Sequence, residues 1–475
     1  MRFHINKFKP FFLIVVLPSF FLLLSCQAKP QLIKPALEEN GEVFLYLQPL
    51  PQEAERLKFG LEAVYAEKDD GTEIPLELSF SGIGSGKGLR QRCLATGQLP
   101  PGSYRGLSFK LKEASLTTEE GSAVLRVPDK PEPVEAAFTI HKQKASFLSL
   151  TLKYRESIVS GFSFSPAFSV SVPGRPPTGL SGYVSNSTAH DVAVIDKGTG
   201  EVIGMIATGS GPRGMVTDKM HGKVYAALGE DDAVDVIDVG AGDVIGRIQL
   251  RRGDNPGELA LVPDGRTILS ANAGSDTVSF IDSGSLLETE RVSVGQDPLS
   301  ILIDSTGSRA YVFNTLSNTI SVIDMTGKTV IATLSTDPEP LRGQFNRRGD
   351  RLYVIHARSP YLAIIDPQSL AVVRKEFIGM GAGSIKVDSR TDMIYIGKKL
   401  DDGVTVYDPL SLQRVDYIQT GAAVGYMTID DDENNLYLVM PEKKTIKAVN
   451  LVSRKTVSEI GLCETPFRIT VMGER

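Results

Sequence analysis

From residue 182 onward, short runs of alternating apolar and polar residues recur at a fixed spacing. An aspartate or asparagine closes an apolar run at Asp196, Asp238, Asp282, Asp324, Asp366, Asp408 and Asn450, at intervals of 42 residues except for one of 44. Tyr183, Tyr225, Leu269, Tyr311, Tyr353, Tyr395 and Tyr437 keep those intervals in a second phase. Pro212, Pro256, Pro298, Pro340, Ala382, Val424 and Pro466 keep them in a third. Three independent markers therefore count seven units. Each unit holds four runs of strand character, as in residues 299–304, 310–314, 319–324 and 329–334. Period-two alternation excludes helical solenoids, and four antiparallel strands in roughly 40 residues predict the blade of a β-propeller. The first unit begins in its second strand at Tyr183, while residues 466–472 form a proline-led run with no unit after it. The two deficits match, so the last strand is predicted to complete the first blade as its innermost strand and close the ring.

Before the repeats, residues 43–47, 104–111, 147–152 and 162–172 also alternate with period two between turn signals. They predict a β-sandwich over residues 41–172. A Pro/Gly-rich linker, residues 173–180, is expected to hold this module apart from a propeller over residues 181–473. The fold class is thus all-β: a seven-bladed propeller preceded by a small sandwich.

The segments YVSN (183–186) and YVFN (311–314), followed by VAVID and ISVID, resemble the YVTN family of β-propeller repeats. That resemblance covers residues 181–473 and implies the seven-bladed ring. It leaves function open, since related rings serve surface layers, secreted binding proteins and parts of redox enzymes. Leu99-Pro100-Pro101-Gly102-Ser103-Tyr104 resembles the L-x-x-G-x-Y element of transthyretin-like and other immunoglobulin-like modules. Together with FSFSPAF (162–168) it is similar to a bacterial lipoprotein domain, which implies a spacer or adhesion module.

The chain opens with Arg2, Lys7 and Lys9, an apolar stretch over residues 11–24, and Leu23-Leu24-Ser25-Cys26. This resembles the bacterial lipoprotein signal, with residues 1–25 removed, Cys26 carrying the lipid and residues 26–40 forming a tether. The resemblance implies a membrane-anchored protein of the cell envelope, held by several acyl chains at about 0.8 kcal/mol per buried CH₂. The resemblance to diderm lipoproteins further implies the outer membrane over the inner, since Gln27 stands where an aspartate would favour inner-membrane retention.

Charge narrows the partners. The net charge is −6, and removing Arg2, Lys7 and Lys9 with the signal takes it to about −9. With no tryptophan and 7% aromatic residues, the chain lacks both the basic surface and the stacking platforms of a nucleic-acid binder. Cys93 and Cys463 fall in different domains and are expected to be free thiols. His190 and His356 have no partners at ligand spacing, so no metal and no cofactor is expected.

The repeated aspartates and tyrosines read as turn caps and core, not as chemistry. Function is sought where repetition breaks. The 44-residue interval places two extra residues between Asp238 and Pro256, in a loop with Arg251 and Arg252 that can grip a carboxylate or phosphate. In the innermost strands, the residues two past each proline-equivalent are Gly214, Glu258, Ser300, Arg342, Ser384, Tyr426 and Arg468. Two further on stand Val216, Ala260, Leu302, Gln344, Lys386, Thr428 and Thr470. Period-two geometry turns this variable set toward the axial channel. Glu258, Arg342, Lys386, Tyr426 and Arg468 are therefore the candidate ligand-binding residues there, with Arg251 and Arg252 in the loop. The resulting expectation is a non-enzymatic binding module for an envelope protein, a glycan or a small anionic ligand. The alternatives are a propeller enzyme of lactonase or cofactor-bearing type and a self-associating envelope scaffold.

Overall fold

The computed structural model describes residues 37–84, 90–118 and 121–474. The expected lipoprotein signal, Cys26 and most of the expected tether lie outside the described residues. The protein is all-β, a seven-bladed β-propeller preceded by a small β domain.

Each blade is a four-stranded antiparallel sheet in chain order from the axis outward. Blade 4 shows the plan, with strands Pro298–Ile303, Arg309–Asn314, Thr319–Asp324 and Thr329–Ser335. Blade 1 alone is assembled from both ends of the repeat region. The strand Arg468–Val471 pairs antiparallel with Ser181–Asn186, Val184 lying opposite Ile469, and is the innermost strand. It touches the innermost strands of both neighbouring blades, Tyr426–Asp430 of blade 7 and Pro212–Asp218 of blade 2, so the ring closes as its sequence predicts. A buried ion pair between Lys197 of blade 1 and Asp430 of blade 7 joins the same seam.

The repeated residues explain why the units fold alike. The six tyrosines of the second strands are almost wholly buried, each adding a large ring to the packing between sheets. All seven residues of the aspartate series accept backbone N–H bonds in the following turn; Gly198 donates to Asp196 at 2.8 Å and Ser453 to Asn450 at 2.9 Å. These are the bonds by which Asx turns replace missing ladder partners.

In the N-terminal domain the strand Gly41–Leu47 pairs antiparallel with Arg92–Leu99 and parallel with Ala145–Leu152. The sandwich is one continuous sheet path, because Glu73–Leu78 pairs with both Arg92–Leu99 and Leu57–Lys68. Its two halves face each other across an apolar core, where Phe109 meets Phe168 at 4.8 Å between ring centroids. The stretch 162–172 is not one strand. Pro166 offers no N–H to the ladder, and the chain divides into Ser163–Phe164 and Phe168–Ser171.

Two expectations about the junction are corrected. Residues 173–180 do not hold the domains apart; they share a core. Along Gly41–Leu47, Val43, Leu45 and Leu47 pack into their own domain, while Phe44 and Tyr46 pack with Phe147 against Ile195 and Val202 of blade 1 and Ile460 and Leu462 of blade 7. Gln91 completes the contact like an added strand, accepting from Val202 N and donating to Val202 O, both at 2.8 Å. Cys93 and Cys463 are not free thiols but a disulfide with Cα atoms 5.1 Å apart. Docking of the two domains brings together two cysteines separated by 370 residues.

Candidate functional site

The innermost strands split their side chains as period two requires. Leu259, Ile301, Ile385, Met427 and Ile469 are buried between blades. Most of the alternate positions line a cavity of about 590 Å³, while Arg468, Ser384 and Thr428 stay behind its wall. The cavity reaches the turns after the innermost strands, at Lys219, Pro263, Gly265 and Ser305, so it opens on that face of the ring.

At the inner end of this cavity one carboxylate meets two guanidinium groups. Glu258 Oε1 accepts from Arg468 Nη1 and lies 3.5 Å from Arg342 Nη1. Both guanidinium carbons also lie over the Tyr426 ring, at 5.0 Å for Arg342 and 5.1 Å for Arg468. Four residues from blades 3, 5, 7 and 1 thus form one cluster in which each cation contacts both a carboxylate and an aromatic face. Glu258 Oε2 is buried and has no hydrogen-bond partner among the described residues. Burial and the neighbouring Arg468 draw the Arg342 pKa below its ordinary value. Burial with Glu474 holds the Tyr426 phenol above its own.

Lys386 belongs to the same cavity but not to that cluster. Its Nζ lies 3.0 Å from Glu474 Oε1, and Glu474 Oε2 accepts from Thr470 Oγ1 at 3.2 Å. Burial opposes the Lys386 charge, yet Glu474, Tyr426 and Asp431 together more than offset it, and the amine sits above its ordinary pKa. Glu474 is the cavity residue that sequence reasoning missed. The available signal is Gly473, since a Cβ there would stand 1.7 Å from Asp430 Oδ1; only glycine lets the chain turn back over the ring.

Arg251 and Arg252 are not brought to this cavity. Their loop precedes the strand Pro256–Leu261, whereas the cavity opens past that strand's far end. Both side chains are exposed. The loop is anchored by Asp254, which Arg291 grips with both terminal nitrogens at 2.6 and 2.7 Å. Among the described residues, no group of three or more His, Cys, Asp or Glu is placed to hold a metal ion.

This geometry can be set beside known proteins. Residues 253–465 match the family model described as "Lactonase, 7-bladed beta-propeller", a stretch that includes Glu258, Arg342, Lys386 and Tyr426. No curated protein matches the sequence. Among solved structures, Kuenenia stuttgartiensis hydrazine synthase is similar with a TM-score of 0.52 and 17% identity, over 58% of this chain and 93% of that one. Dihydro-heme d1 dehydrogenase NirN in complex with DHE is similar with a TM-score of 0.51 and 14% identity, over 63% of this chain and 78% of that one. At such identities the likeness is one of fold. The expectation of a non-enzymatic protein is corrected here. The matching family model is that of a lactonase, an enzyme class, and overturns that expectation.

Proposed function

We propose that the protein is a lipid-anchored envelope protein whose propeller holds a small anionic ligand in its channel and opens a cyclic ester there. The observation that carries this reading is Glu258, which lines a cavity of about 590 Å³ and is fixed through Oε1 by two arginines while its buried Oε2 has no hydrogen-bond partner among the described residues. In that arrangement Glu258 Oε2 takes a proton from water as the water oxygen bonds to the ester carbonyl carbon. The oxyanion that forms collects between Arg342 and Arg468, whose charges are in place beforehand. The ring C–O bond then breaks, and the leaving oxygen takes the proton back from Glu258. The product hydroxy acid leaves its carboxylate facing the same arginines. The match to a lactonase model over residues 253–465 supports the reaction class. The envelope address is supported by Ser25-Cys26 and by the Cys93–Cys463 disulfide, a bond that persists in oxidising compartments.

The test is acid release from a panel of five- and six-membered lactones, with and without a carboxylate substituent, by the full-length protein in mild detergent. Saturable hydrolysis that is lost in Arg468→Met is expected. If no lactone opens faster than in buffer, the reading fails.

A further inference from the structure

We propose that Lys386 is a second anion subsite of the channel, shaped for a carboxylate of the ligand and filled in the free protein by the side chain of Glu474. The inference rests on the reading of the channel as the ligand site and adds to it which ligands are chosen.

The channel carries its charge at two levels. Arg342, Arg468 and Glu258 share the level two residues past the proline-equivalent, and Lys386 stands two residues further along its strand. At about 3.3 Å per residue, the levels are roughly 7 Å apart. The other residues at the Lys386 level, Val216, Ala260, Leu302, Gln344, Thr428 and Thr470, carry no charge.

The carboxylate that meets Lys386 comes from outside the ring of strands. Glu474 follows the closing strand Arg468–Val471, and its segment is pinned over the cavity mouth, where Lys219 Nζ donates to Glu474 O at 2.9 Å. The seam pair Lys197–Asp430 offers a contrast. It is sealed at 1% and 0% side-chain exposure, whereas Lys386 and Glu474 keep 11% and 23% and border the cavity. Rotating the Glu474 side chain away breaks no strand pairing.

Charge balance points the same way. Three cations, Arg342, Arg468 and Lys386, face two carboxylates, Glu258 and Glu474. With Glu474 displaced, those two levels keep two uncompensated positive charges, which a dicarboxylate spanning them neutralises; the other charged lining residues, Asp218, Lys219 and Asp304, stand on neither level. Glu474 is then an internal competitor that a monoanion displaces poorly and a dianion displaces well.

Calorimetric titration of the full-length protein with glutarate and with butyrate tests this. Glu474→Gln is expected to bind glutarate at least fivefold tighter than the unaltered protein, with a smaller gain for butyrate. Lys386→Met added to Glu474→Gln is expected to abolish the gain. Glu474→Asp, which keeps the charge but draws it back, gives an intermediate gain and serves should Glu474→Gln fold poorly. No gain in either Glu474 variant, or a gain that survives Lys386→Met, overturns the proposal. Lactone opening is not read in this experiment. A chain that opens no lactone but shows the Lys386-dependent gain keeps the subsite and loses the chemistry. A lactone-opening chain without the gain does the reverse.

Discussion

The middle strands of the blades and the innermost strands share one period, yet they carry opposite kinds of sequence. The second strands bury a tyrosine in six units of seven, and a turn-capping aspartate or asparagine closes or directly follows the third strand in all seven. At one level of the innermost strands the same seven units offer glycine, glutamate, serine, arginine, serine, tyrosine and arginine. Side chains between two sheets must fill a space that the fold dictates, so the units repeat. Side chains that face the axis meet no such template, and there the units differ and their charges collect. In this ring, chemistry is found where packing stops dictating the residue.

The largest expected effect sets the two classes directly against each other. Tyr311, buried and in edge contact with Phe345 at 5.3 Å between centroids, should cost about 3–5 kcal/mol of stability when changed to alanine. Arg342→Met, by contrast, should leave stability unchanged or raise it slightly, because Glu258 stays paired with Arg468 and the repulsion between the two arginines is lost along with the cost of desolvating one of them. Denaturant unfolding of the two variants measures the difference, and similar losses in both would erase the distinction.

A smaller effect comes from the place where a middle strand departs from its own pattern. Asn272 and Asn314 donate to hydroxyls of Thr277 and Ser279 and of Thr319 and Ser321. Blade 5 has His356 at that position, with Tyr361 and Ala363 where the hydroxyls stood. Burial pushes the His356 pKa down to about 4, against which nearby Asp337 acts only in part. The unfolded chain therefore binds a proton that the folded chain refuses between about pH 6.5 and pH 4. Stability should fall by up to about 3 kcal/mol as pH drops through that window. His356→Asn should remove that part of the slope, as melting temperatures taken across the range will show; an unaltered slope would assign it to other groups.

The smallest effect belongs to a single turn. Asp324→Ala removes the bond from Gly327 N and should cost about 1 kcal/mol, with no change in lactone opening. A loss of activity there would place chemistry among the repeated residues and contradict the division.

The blade count, the closing strand and the axis-facing set were legible because each follows from period and phase alone. The gathering of charges was not. Glu258, Arg342 and Arg468 are 84 and 126 residues apart in sequence, and only the closed ring sets them on one carboxylate oxygen. The junction left a clearer trace. GEVFLYL, with all seven residues buried, alternates between two cores, and an apolar run with so few polar positions already signals burial on both faces. The docking that makes the disulfide possible follows from that strand, whereas the proline-rich linker suggested separation. The face on which the cavity opens, and the return of Glu474 over it, depend on how strand ends lie around the axis, and no local pattern encodes that.

The central claim, that the channel carboxylate does the chemistry, is tested most directly by comparing lactone-opening rates of Glu258→Gln and Glu288→Gln at matched stability. Glu288 also grips an arginine, Arg291 at 2.7 Å, but on the outermost strand of blade 3. We expect the Glu258 variant to lose at least about 100-fold in rate, the usual lower range for a missing general base, and the Glu288 variant to keep the full rate. Equal rates in both would contradict the account.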